Sequence, residues 1–136
     1  DTDIQGGLSS GSGAAGGIKL RIGAPGASGY QPNAGAVVAG ISPNRLWYSY
    51  KGPDVASAST ITPTGNLFHV TGTTNITTIS ATGITAGTKI SIIFDGVLTI
   101  VAGSNLKLAS DFITTADDCI EFLWDGSFWF ALTSTK

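Results

Sequence analysis

The single histidine, His69, and the single cysteine, Cys119, are the residues best suited to acid–base or nucleophilic chemistry in this chain. His69 stands between Phe68 and Val70, with no serine or cysteine nucleophile at a telling spacing. A metal site needs more than one good ligand. His69 is therefore expected to be a structural or exposed strand residue. Cys119 opens the apolar stretch "CIEFLW", where a free thiol behaves as a small hydrophobe. Its neighbours Asp117 and Asp118 deny it the electropositive setting that makes a thiolate. One cysteine also excludes an internal disulfide.

Carboxylates offer two further chemistries. Asp111, Asp117 and Asp118 could supply oxygens to Ca²⁺, but their spacing is not that of an EF-hand and reads equally well as turns. Glycoside hydrolysis needs two carboxylates across a scissile bond. They would have to come from this acidic loop or from Asp95 and Asp125, and the latter pair is better explained by turn geometry. "GSGAAGG" is no phosphate loop, since no Lys-Ser/Thr follows it and no strand precedes it. "NIT" (75–77) is a formal glycosylation sequon inside a predicted strand. The expectation is a protein that is not an enzyme, with no cofactor and no metal.

Composition narrows the class. Charged residues make up 12% of the 136, against about 25% in ordinary globular proteins, while 42% are hydrophobic. No apolar run approaches about 18 residues, so no transmembrane helix and no membrane insertion are expected. Apolar surface shared between subunits is the better account, because obligate interfaces resemble a core cut in half. The net charge is −2 and the seven basic residues are scattered, which leaves no footprint for nucleic acid. The opening "DTDIQGG", without an initiator methionine, reads as part of a longer protein.

The elements that must position these residues are strands. Residues 1–17 are rich in Gly, Ser and Ala and are expected to be flexible. "IKLRI" (18–22) alternates with period two, "AVVAGI" (36–41) and "RLWYSY" (45–50) follow, and residues 51–66 read as a Gly/Pro-rich connector. The boundary is expected near residue 60, between a segment 1–58 (a fibre-shaft end or small upstream β-domain) and a C-terminal domain 59–136. Beyond Asn66, short runs rich in Ile, Val, Thr, Phe and Trp alternate with turn signals. They predict an all-β fold: an antiparallel, jelly-roll-like β-sandwich preceded by a Gly-rich extended or β segment. "FDGV" (94–97) and "WDGS" (124–127) each predict a two-residue hairpin turn.

In the last hairpin, Ile120, Phe122 and Trp124 line one face of the incoming strand, Phe128, Phe130 and Leu132 line one face of the outgoing strand, and Trp129 points the opposite way from these. Ile92, Phe94, Phe122, Trp124, Phe128 and Phe130 are the predicted core or inter-subunit contacts. Trp47, Tyr48, Tyr50 and Trp129 are the predicted contacts to a glycan or receptor, since Trp and Tyr serve both sugar platforms and interface hot spots.

The stretches "TGNLFHVTGTTNITTIS", "GITAGTKISIIFDGVLTI" and "NLKLASDFITTADDCIEFLWDGSFWFAL" resemble a C-terminal module of bacteriophage tail fibre and tailspike proteins. The theme is filled by Gly65–Thr73, Gly87–Phe94, Asn105–Leu108 and Asp125–Trp129, over roughly the last half of the chain. The resemblance implies an all-β homotrimer at the distal end of a virion fibre, which trimerises the fibre and contributes to attachment to a bacterial cell-surface glycan or other receptor. Two alternatives stand beside it: the tail end of a polysaccharide-degrading spike, and a monomeric secreted carbohydrate-binding module.

Overall fold

A computed structural model describes residues 2–6, 18–22, 36–42, 44 and 46–135. The Gly-rich run 7–17 and the turn-rich loop 23–35 lie outside the described residues. The chain divides into two units, Asp1–Tyr50 and Lys51–Lys136.

The first unit is an antiparallel meander of four strands, β1 (Thr2–Gly6), β2 (Ile18–Ile22), β3 (Ala36–Ile41) and β4 (Trp47–Ser49), in that spatial order. β1 falls in a stretch expected to be flexible; its partner is β2, with Ile4 opposite Leu20. β3 pairs with β4 so that Ile41 lies opposite Trp47 and Gly40 opposite Tyr48.

The second unit holds β5 (Val55–Ala56), β6 (Thr60–Ile61), β7 (Leu67–Thr71), β8 (Thr78–Ile79), β9 (Lys89–Phe94), β10 (Thr99–Ile100), β11 (Leu106–Lys107), β12 (Phe112–Ile113), β13 (Cys119–Trp124) and β14 (Trp129–Thr135). Its main sheet has the order β11-β14-β13-β9-β7-β5. A second set of short pairings, β6 with β8 and β10 with β12, is joined by a parallel bridge between Ile76 and Ile100. No helix occurs among the described residues. The architecture is all-β and sandwich-like.

Strand direction differs from the expected antiparallel pattern. β5, β7 and β9 run parallel in the main sheet, β6 and β8 run parallel in the second layer, and β11 runs parallel to β14. The cause is a winding path. Three times the chain leaves the main sheet and crosses to the second layer, as β5 to β6, β7 to β8 and β9 to β10, then returns in the same sense. Each pass ends on Thr-Ile: Thr60-Ile61, Thr78-Ile79 and Thr99-Ile100. All three isoleucines are buried. Stacking neighbours bury a continuous core in this way in repeat architectures generally. Hence Asp95-Gly96 is not a hairpin turn as expected but a corner between layers, since β9 pairs with β7 and β13 and not with β10.

The supposed connector contains β5 and β6, which pair with β7 and β8. They belong to the second unit, which therefore begins at Lys51 and not at residue 59. Gly52 shows why a small residue is needed there. Its N–H donates to the Leu67 carbonyl (2.8 Å), and a Cβ would strike the Thr64 backbone and hydroxyl.

The core lies between the layers. Phe68, Val70, Ile90, Ile92, Phe94, Ile120, Phe122 and Trp124 face inward from the main sheet, alternating with outward neighbours as a period-two strand requires. Ile61, Ile76, Ile79, Ile100 and Phe112 meet them from the other side. Burying each such side chain contributes about 1.5–3 kcal/mol, so a single copy closes this core from its own residues. Both edges of the main sheet are two-residue strands, which limits edge-to-edge pairing.

Candidate functional site

The outer face of the main sheet is built by alternation and register. With Phe122 and Trp124 inward, Cys119, Glu121 and Leu123 point outward from β13, and Lys89, Ser91 and Ile93 from β9. Pairing then sets these residues in rows across the strands. One row reads Lys107, Phe130, Leu123, Lys89; another runs His69, Ile93, Cys119. Beside the first row, the Lys107 ammonium lies 3.9 Å from the Phe128 ring centroid, a cation–π contact. Phe128, Phe130 and Leu132 remain 37%, 41% and 42% exposed.

Of the residues expected at an interface or in the core, Ile92, Phe94, Phe122 and Trp124 are core, while Phe128 and Phe130 stay on the surface. Trp129, expected to meet a ligand, is instead sealed inside. It is fully buried, its Nε1–H donates to the Ile79 carbonyl (3.0 Å), and its ring tilts against Trp124 at 5.2 Å. Pairing dictates this: Trp129 sits directly opposite Trp124, so both share the inner face. The loop between them spans 125–128, with Gly126 at φ 107° and Asp125 N–H donating to Phe128 O (3.1 Å), instead of the expected two-residue turn.

Asp125 holds that loop. Its Oδ1 accepts the N–H groups of Phe128 and Ser127, each at 2.7 Å, and these bonds keep its carboxyl below the usual carboxylate range. Each aspartate considered for a metal is engaged in a turn or corner. Asp111 Oδ1 accepts the Ala102 N–H (2.7 Å), Asp118 Oδ2 accepts the Thr115 N–H (2.7 Å), and Asp117 adopts φ 69°. Among the described residues, no three His, Cys, Asp or Glu side chains gather as a metal would require.

His69 does have a partner that sequence spacing did not suggest. Its Nδ1 lies 2.7 Å from Asp95 Oδ1, across the corner between layers. Both side chains are partly exposed, so the pair contributes at most about 1 kcal/mol. Cys119 is separated from His69 by Ile93 on the intervening strand. Burial, and secondarily the Glu121 carboxylate, push its thiol up, so it stays protonated and weakly nucleophilic at neutral pH.

In the first unit, Trp47 is 64% exposed and Tyr50 44%, beside exposed Leu46 and Ile41. Tyr48, one residue on from Trp47, is half-buried. Trp47 and Tyr50 are therefore available to a ligand, and Tyr48 less so. Elsewhere, Val97 and Ile113 are exposed on the second layer. No helix of the described residues is long and apolar enough to cross a membrane. No family model and no curated protein matches the chain.

Proposed function

We propose that this chain is the distal C-terminal part of a bacteriophage tail fibre or tailspike. It assembles as a homotrimer on the virion and contributes to binding the bacterial surface, with no catalytic step. The observation that carries the reading is the outward pair Phe128 and Phe130, exposed on a unit whose core is already closed without them. A second copy covering that face would remove it from water, and three-fold repetition would multiply weak contacts to surface glycans through effective concentration. Trp47 and Tyr50 would then supply the aromatic surface for a sugar or other receptor group.

A monomeric carbohydrate-binding module is the second reading. It is favoured by the burial of Trp124 and Trp129 within one copy. Light scattering after gel filtration separates the two. The trimer requires three times the 13.8 kDa chain mass, about 41 kDa. Phe130→Glu, which places a charge in the shared face, is expected to reduce the mass to that of one chain while leaving the far-ultraviolet spectrum unchanged. A wild-type protein that is monomeric at micromolar concentration overturns the trimer.

A further inference from the structure

We infer that the end of the sandwich beside the segment 108–112 is a binding site for a single pyranose ring. A cleft of about 250 Å³ opens there, lined by the buried Phe112 and Ile120 and by Leu108, Leu132, Ser110 and Asp111, of which the last three are exposed. Phe112 and Ile120 are core residues, so this cleft lies between the layers and not on the outer sheet face. Drug-sized ligands occupy roughly 300–1,000 Å³; this cleft is smaller and suits one six-membered ring.

The chemistry of the lining selects the ligand. Asp111 Oδ1 accepts the Ala102 N–H at 2.7 Å, which fixes the carboxylate and leaves its second oxygen to accept from a ligand hydroxyl. The Ser110 hydroxyl beside it can donate or accept. Leu108 and Leu132 line the cleft with aliphatic surface, which suits the C–H face of a sugar. A pyranose is the ligand that presents hydroxyl donors along one edge and C–H surface on its faces. A metal would find only one carboxylate there.

The site belongs to each chain separately, so it does not rest on the trimer. The test uses the full 136-residue chain, uniformly labelled with ¹⁵N. Methyl glucopyranoside, galactopyranoside and mannopyranoside, and N-acetylglucosamine, are titrated while amide shifts are recorded, with ethylamine as a cationic control. The expected result is saturable shifts confined to 108–112 and Leu132 for at least one sugar, with Kd on the order of millimolar, as befits a ligand of about a dozen heavy atoms. Asp111→Asn keeps the acceptor for Ala102 but loses the charge, and Leu132→Ala removes one lining side chain; each is expected to weaken binding at least about tenfold. Silence from all four sugars overturns the proposal. So do shifts confined to Trp47 and Tyr50, equal shifts with ethylamine, or undiminished binding by both variants.

Discussion

Replacing Trp129 by Phe tests whether the final strand faces as described. The indole is fully buried, and its Nε1–H donates to the Ile79 carbonyl at 3.0 Å. Losing that bond costs about 1 kcal/mol, and the smaller ring leaves a void costing about 1 kcal/mol more. The Ile79 carbonyl is not orphaned, because Asn105 Nδ2 donates to it at 2.7 Å. Trp129→Phe alone should therefore destabilise by about 2 kcal/mol. In an Asn105→Ala background the same change leaves that carbonyl with neither side-chain donor, at an additional cost of about 1–3 kcal/mol. A double-mutant cycle should thus show a coupling of about 1–3 kcal/mol. Urea denaturation followed by circular dichroism reads all four proteins, at one fixed protein concentration so that association cancels. A single-variant effect under about 0.5 kcal/mol, or strictly additive variants, would refute the shared carbonyl and with it the inward placement of Trp129.

Gly52→Ala should lower stability by about 1–3 kcal/mol, because the new methyl meets the Thr64 backbone and the edge of the main sheet must shift; thermal melts within a degree of wild type would contradict that packing. Asp125 gives a pH signature. Its folded-state carboxyl lies below its unfolded value, so its stabilisation is present above about pH 4 and is lost as pH falls through the lower folded value. Asp125→Asn should consequently shrink the fall in melting temperature between pH 5 and pH 2, and an undiminished fall would mean that other carboxyls carry it.

Much of the fold was legible because alternation survives in single strands. "LFHV", "TKISIIF" and "CIEFLW" were expected as strands, and each forms one whose alternate residues face inward. Trp129 was legible too, by parity. Next to the turn, before the bulge at Glu121/Phe122, antiparallel pairing across either a two- or a four-residue loop puts odd-numbered residues of β14 opposite even-numbered residues of β13, which places Trp129 with Trp124. Reading the aromatics one strand at a time hid this. The repeated Thr-Ile at 60–61, 78–79 and 99–100 was likewise present and unread, because two-residue strands are too short to display a period. The cleft was not legible at all, since Ser110 and Ile120 stand on separate elements that only the fold brings together.

Composition and alternation thus determined that this chain is β, that Ile, Phe and Trp form its core, and that little charge covers its surface. Those properties are local: a side chain's face depends on its own position in a strand. The tertiary structure alone decided that strands pair in parallel as the chain winds between layers, that Asp95-Gly96 turns a corner beside His69, and that Lys107 reaches Phe128. Those depend on which strands become neighbours. Neighbours are chosen by the total apolar area buried when all the passes stack, a quantity no single segment carries.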